Sequence, residues 1–353
     1  MSAQKVVVCK DLRSELRDFL SALKYDKLFI LTDTNTKEKC LPLVAGVAAF
    51  QKAPLLVTEA GDMNKGLSAL ARIWTALSDG GASRNSLLVN LGGGMITDMG
   101  GFAGATFKRG IRTINIPTTL MASVDAAVGG KTGINFNGLK NEIGSFYPPL
   151  RVFIDCAFLR TLDRDNILSG YAEMIKHGLI SSIEHYTSVL LYDIDTMNYS
   201  YLNSLAGQSV AVKERIVAED PKERGIRKAL NFGHTIGHAF ESLSFRKERP
   251  LLHGHAVAAG IVSELYLSHK LCGFPMEKLS QVVYYIKTYY PAFFFDCTDY
   301  DTLYELMTHD KKNEGGIINF TLLGNVGEVR INQSVTKEKI LESLDFYRES
   351  FGI

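Results

Sequence analysis

Between Asn90 and Tyr147 the chain reads NLGGGMITDMGGFAGATFKRGIRTINIPTTLMASVDAAVGGKTGINFNGLKNEIGSFY, and no other stretch limits the fold as much. A glycine triplet follows an apolar run, and Arg109, the Thr118–Thr119 pair, Asp125, Lys131, Lys140 and Asn141 crowd into the same block. Glycine loses more conformational freedom on folding than any other residue, so this density is costly for a plain core. It suits a place where backbone must approach a ligand closely, as when a nucleotide site and a phosphate site lie side by side.

Around this block the chain alternates strand-like and helix-like pieces. Apolar, β-branched runs appear at Lys27–Thr32, Leu55–Thr58, Ser86–Leu91, Thr113–Pro117 and Val152–Asp155, with helical spacing between several of them, as at Lys65–Leu77. Short continuous apolar strands spaced by helices predict a parallel sheet covered on both faces. Gly129–Gly138 reads as a loop or hairpin. After about Asp155 the pattern turns helical, at Ile167–Ser181, Leu202–Ala218, Asn231–Leu243, Ala256–Leu271 and Met276–Tyr289. The length of 353 residues suits two domains, an α/β domain over 1–155 and an α domain over 156–353. With no repeat and no low-complexity linker between them, they are expected to pack around a cleft.

Within the first domain, Gly92, Gly93 and Gly94 stand between a strand and a helix start. Two readings apply: a backbone approach to a pyrophosphate, or a tight strand–helix turn with no ligand. Asp33 and Asn35 end the KLFILTD strand at the carboxyl edge where α/β ligands bind. Asp33 there is either an acceptor for ribose hydroxyls, which favours NAD over NADP, or a helix cap. Asp98, one turn into the next helix, is a dipole partner or a ligand contact. Arg109, Lys131, Lys140 and Asn141 lie in glycine-rich or loop-like sequence and together form a candidate anion site, the Arg as a bidentate fork and the Lys as point charges. Asp125 sits among small residues, as a hydrogen-bonded buried carboxylate or as a ligand contact.

The second domain concentrates histidine: six of the eight His lie between His177 and His255. Glu173 and Lys176 share a helix face at i, i+3. His234 and His238 are spaced i, i+4, and His253 and His255 follow in LHGHAV. Two His and a carboxylate with open positions is a common catalytic metal arrangement. The absence of HExxH argues against a metalloprotease.

A net charge of +1 supplies no global field to draw the chain to nucleic acid or to a membrane surface. Five dispersed Cys without a CxxC pair read as reduced thiols. The N-terminus lacks signal-peptide features and no apolar run approaches a membrane span, so a cytoplasmic location is expected.

Taken in order, TDTN, GGGMITDMGGFAGATFKRG, IPTTLMASVDAAVGGKTGIN, LKNEIG, GYAEMIKHG, LNFGHTIGHAFE, LHGHAVAAG and DKKN make nearly the whole chain resemble the 3-dehydroquinate synthases, of the sugar phosphate cyclase family. The resemblance implies an N-terminal Rossmann-like domain that binds NAD and a C-terminal all-α domain that binds a divalent metal, zinc or cobalt. It also implies a homodimer and a sugar phosphate substrate. Glu173, His234 and His253 match the family's metal ligands. Asp125, Lys131, Asn141, Lys176, Lys213, Arg227, Asn231, His238 and Lys311 match positions that contact substrate. Of these Lys176, Asn231, His238, Lys131 and Asp125 are the expected catalytic group. Arg109 matches an arginine that reaches the neighbouring subunit's phosphate site. Asp33, Asn35, Lys65, Gly93, Gly94, Asp98, Thr118, Thr119, Lys140 and Thr161 match NAD contacts. The sequence also departs from the family pattern. His255 stands where a Glu is usual and is a possible competing ligand. Asp62 replaces a longer acid on the NAD side, and Tyr147-Pro148 replaces a common His-Gln.

Overall fold

The computed structural model describes residues 4–308 and 318–353. By contact density the chain forms two compact units, Met1–Asp163 with Met197–Val210, and Arg164–Thr196 with Ala211–Ile353.

The first unit is built on a six-stranded parallel sheet in the order β1-β8-β5-β4-β2-β3. Its strands are β1 (Lys5–Val8), β2 (Leu28–Asp33), β3 (Leu55–Thr58), β4 (Leu87–Gly92), β5 (Arg112–Pro117) and β8 (Arg151–Ile154). Every residue of β2 and β4 is buried, which is why these strands read as unbroken apolar runs rather than alternating ones. Alternate side chains serve opposite faces. Leu28, Ile30, Leu87 and Val89 pack with Leu12, Leu16 and Leu20 of helix Leu12–Ala22. Phe29, Leu31 and Leu88 pack with Leu70, Ile73 and Leu77 of helix Leu67–Asp79 and with Ile96, Met99 and Ala103 of helix Gly94–Thr106. Edge strand β1, with an exposed, half-buried, half-buried, exposed pattern, is not among the apolar runs named above.

Part of the glycine density has a packing cause. Helix Gly94–Thr106 is pressed between the sheet and an antiparallel hairpin, β6 (Lys131–Phe136) and β7 (Leu139–Phe146). A Cβ on Gly101 would stand 2.5 Å from Thr132 Cγ2, too near for any side chain. On the opposite side Gly100 and Gly104 abut Asn90 of β4 and Thr113 of β5.

The second unit is mainly helical, with helices Arg164–Leu179, Ile183–Leu191, His234–Arg246, His253–Cys272, Met276–Tyr289, Tyr300–Thr308 and Lys337–Phe351. Helix Tyr199–Glu219 supplies Lys213. The all-α expectation needs one addition, the antiparallel pair β9 (Asn319–Asn325) and β10 (Glu328–Ser334). The β9 core FTLLG is buried, while β10 alternates exposed and half-buried residues, the period of a strand with one covered face. Among the described residues no helix is long and apolar enough to cross a membrane.

Candidate active site

In the first unit the chain runs from β2 out to edge strand β3 and returns to β4 on the other side of β2. This reversal is a switch point, and open α/β sheets bind ligands in the crevice at the strand carboxyl ends there. Asp33 closes β2 and the Gly92–Gly94 turn closes β4, so both sit at this point. Asp33 does cap a helix: its carboxylate accepts from Thr36 N at 2.9 Å and Thr36 Oγ1 at 2.8 Å. Gly93 is the N-cap of helix Gly94–Thr106 and provides no side-chain cap. A Cβ on Gly93 would stand 3.1 Å from Thr119 Cγ2, so the turn and the Thr pair lie against each other. Thr118 and Thr161 meet around Cys40. Burial pushes the Cys40 thiol up, the two hydroxyls oppose the shift by hydrogen bonding, and nearby Asp33 reinforces it. Asn35 is exposed on the short helix that Asp33 caps.

A second group joins residues far apart in sequence. Lys65, 3% exposed, donates from Nζ to Asp98 Oδ2 at 2.6 Å and to Asn141 Oδ1 at 2.5 Å. Asn135 Nδ2 donates to Asp62 Oδ2 at 3.1 Å, and Asn135 Oδ1 accepts from Asn141 N at 3.0 Å. These bonds tie the β6–β7 hairpin to the 62–65 turn. Asp98, Lys131 and Asn141 line one cavity of about 290 Å³. Lys140 is exposed on β7, and Asp125 lies half-buried on the π-helical turn Ala122–Ala126. Arg109 stands apart on an exposed turn where Lys108 and Arg109 adopt φ of 49° and 67°.

The second unit gathers the histidines. Glu173 and Lys176, both fully buried, form an ion pair on helix Arg164–Leu179. His234 Nε2 lies 3.5 Å and His253 Nε2 3.6 Å from the same oxygen, Glu173 Oε1. Each imidazole is held by its other nitrogen. His234 Nδ1 is 3.0 Å from the Phe232 carbonyl, and His253 Nδ1 is 3.0 Å from Glu241 Oε2. That is how metal-binding imidazoles are usually braced, and the donor separations suit ligands of one ion with bonds of about 2.0–2.2 Å. His238 is close, with ring nitrogens of His234, His238 and His253 mutually within 4.8 Å. The Glu173 set is the better cage, because both Nε2 atoms converge on its carboxylate while both Nδ1 atoms are tied back. Burial by itself would raise the Glu173 carboxyl, but Lys176 first, with a hydrogen bond from His253, holds it well below the usual range.

His255 is not part of this cage. Its Nε2 lies 3.2 Å from the Asp165 carbonyl and its ring packs edge-on against Tyr290. Lys213 is 6% exposed. Arg227 is 1% exposed and donates from Nη1 to the Pro221 carbonyl at 2.8 Å. Asn231 Nδ2 donates to Glu223 Oε1 at 3.1 Å. Lys311 lies outside the described residues. Sequence reasoning missed Glu223 and Glu241. For Glu241 a signal existed: it stands at i+7 from His234, on the same helix face.

The sequence patterns of the 3-dehydroquinate synthase N-terminal and C-terminal families match residues 55–169 and 170–313. A curated 3-dehydroquinate synthase of Parabacteroides distasonis is 90% identical over 353 residues, all of both chains. The chain belongs to the 3-dehydroquinate synthase family. Among solved structures, the fold is similar to a 2-epi-5-epi-valiolone synthase from Streptomyces hygroscopicus subsp. jinggangensis with NAD+ and Zn2+ bound (TM-score 0.88, 23% identity, 99% and 98% of the two chains). It is also similar to 2-deoxy-scyllo-inosose synthase complexed with carbaglucose-6-phosphate, NAD+ and Co2+ (0.82, 23%, 98% and 96%). An iron-containing alcohol dehydrogenase has the same fold at lower similarity (0.67, 14%, 99% and 98%). The fold alone therefore admits both cyclases and dehydrogenases, and membership of the 3-dehydroquinate synthase family rests on sequence.

Proposed function

We propose that the chain converts 3-deoxy-D-arabino-heptulosonate 7-phosphate to 3-dehydroquinate and phosphate, a carbon–oxygen lyase reaction of the shikimate route to aromatic amino acids. The observation that carries this reading is the convergence of His234 and His253 on Glu173 in a chain 90% identical, end to end, to a curated 3-dehydroquinate synthase.

The uncapped start of helix Gly94–Thr106 at the switch point suits a pyrophosphate. Asp33, Asn35, Asp62, Lys65, Asp98, Thr118, Thr119, Lys140 and Thr161 would hold the rest of an NAD molecule. Glu173, His234 and His253 would hold a divalent ion, zinc or cobalt. When bound, NAD would supply reversible hydride acceptance at the substrate's C5, and the ion a Lewis acid and template.

The chain's own residues do the rest. Lys176, held by Glu173, donates a hydrogen bond to the C5 oxygen, and His238 takes the hydroxyl proton as that carbon becomes a carbonyl. That carbonyl acidifies the neighbouring C–H, so phosphate leaves by elimination, with the substrate's own phosphate as base. Lys131 and Asn141, with Arg109 from the partner copy in a homodimer, hold the phosphate. Asp125, Lys213, Arg227 and Lys311 orient the sugar hydroxyls and carboxylate. His238 and Asn231 relay protons during ring opening and aldol closure.

The test is product identification from purified protein, the heptulosonate phosphate, zinc and catalytic NAD. Many equivalents of phosphate per NAD are expected, with 3-dehydroquinate as product and no NADH absorbance beyond the enzyme concentration. Free NADH building up in step with product would make the chain a polyol dehydrogenase. A different carbocycle would make it another sugar phosphate cyclase.

A further inference from the structure

Glu264 lies within helix His253–Cys272 and is fully buried. A carboxylate in that position is expensive unless hydrogen bonds replace its water. Both oxygens are engaged by the start of the neighbouring helix. Gly233 N donates to Oε2 at 2.7 Å and Ile236 N donates to Oε1 at 3.0 Å. Helix His234–Arg246 has no side-chain cap of its own, because its cap position is Gly233 at φ 78°. A Cβ there would stand 2.5 Å from Ile261 Cγ1. Residue 233 is thus barred from carrying the usual Ser, Thr or Asp, and the orphan amides are satisfied by an acid from the adjacent helix.

Which peptide Glu264 grips has a chemical consequence. The Gly233 N–H and the Phe232 carbonyl are opposite ends of one planar peptide group. That carbonyl lies 3.0 Å from His234 Nδ1. A carbonyl can only accept, so Nδ1 carries the proton and the unprotonated Nε2 is the nitrogen 3.5 Å from Glu173 Oε1. Turning the amide toward Glu264 fixes the direction of the carbonyl, and the carbonyl fixes the tautomer and ring plane of His234. A negative charge at the N–H end also polarises the peptide and strengthens its oxygen as an acceptor.

We infer that Glu264 is a positioning residue for His234, acting through the single peptide between Phe232 and Gly233 to aim His234 Nε2 at the metal. The inference rests on the reading of Glu173, His234 and His253 as metal ligands. It extends the braces of the site to a third residue, after the Phe232 carbonyl and Glu241, and gives this buried carboxylate a task beyond capping.

The test compares cobalt(II) affinity and visible absorption spectra of the full chain for wild type, Glu264→Gln, Ile261→Val and His234→Ala, with melting temperatures in parallel. Glu264→Gln keeps the volume but turns an NH2 toward one of the two amides. A loss of cobalt affinity of roughly 10- to 100-fold and an altered spectrum are expected, the range seen when braces of a metal ligand are removed. Ile261→Val loosens the same helix contact without removing a hydrogen bond to the peptide. It should lower the melting temperature and leave affinity within about twofold. If Glu264→Gln also stays within about twofold, or if both variants lose affinity in proportion to their melting temperatures, the positioning role is overturned. His234→Ala separates the underlying reading: wild-type cobalt affinity there would remove the metal assignment itself. Should Glu264→Gln not fold, Glu264→Asp carries the same test, since it keeps the charge but shortens the reach, and unchanged affinity and spectrum would overturn the inference.

Discussion

His253 Nδ1 lies 3.0 Å from Glu241 Oε2, while Nε2 of the same ring faces Glu173. The ring is thus held between two carboxylates. Burial would lower the His253 pKa, but Glu173 and Glu241 outweigh it and lift it to about 10. His234 moves the other way: burial, then Lys176, push it down to about 3 although Glu173 opposes them. Of these two imidazoles it is therefore His253 that is favoured in the cationic form without an ion, and His234 in the neutral one.

The proton on cationic His253 makes metal binding pH-dependent. A folded-state pKa above the ordinary value of about 6.5 means that the imidazolium's stabilising contribution is fully present below that value. It is lost as pH rises through about 10. An entering ion must displace the proton. Apparent affinity should rise about tenfold per pH unit between neutrality and the folded pKa, with one proton released per ion. Titration calorimetry at pH 7 in two buffers of different ionisation enthalpy measures this, and no released proton would contradict the assignment.

Glu241→Gln should uncouple charge from geometry. The amide oxygen still accepts from His253 Nδ1, but the second negative charge is gone. Less proton release at pH 8 is expected, together with a metal affinity weaker by roughly 10-fold or more. Unchanged proton release would mean that Glu173 alone sets the His253 pKa.

Lys65 and Lys131 offer a contrast in the first unit. Lys65 is buried and donates to Asp98 and Asn141, whereas Lys131 is exposed. Lys65→Ala should cost stability of about 1.5–3 kcal/mol, the value of a charged hydrogen bond, and should also weaken NAD binding. Lys131→Ala should cost less stability than Lys65→Ala, because the side chain is exposed, and should weaken phosphate-bearing ligands instead. Denaturant titrations and separate ligand titrations distinguish the two, and equal stability losses would refute the contrast.

Gly101 should resist even the smallest side chain. Gly101→Ala drives a Cβ to within 2.5 Å of Thr132 Cγ2, an overpacking cost of about 1–3 kcal/mol. Thr132→Ser removes the opposing methyl and keeps the hydroxyl that donates to the Ser145 carbonyl at 2.9 Å. The double variant should recover most of the loss in thermal denaturation, and strict additivity would show that the contact is not the cause.

Local chemistry was legible in the sequence. The unbroken apolar runs of β2 and β4 reflect strands buried on both faces, so a covered parallel sheet followed from composition over a few residues. Glu173 with Lys176, and His234 with His238, are within one or two helical turns, where spacing alone decides that they share a face. Edge strand β1 and the β9–β10 pair escaped, the first because none of its residues is buried and the second because its partner strands differ in pattern.

Only the tertiary structure decided which neighbours these faces meet. Glu264 grips the amide of Gly233, 31 residues away, and Lys65 bonds Asn141 across 76 residues. His255, adjacent in pattern to His253, turns instead to the Asp165 carbonyl, 90 residues back. Periodicity records how a residue faces on its own element. It holds no information about the element packed against that face, and the orientation and protonation of a buried imidazole are set by that neighbour.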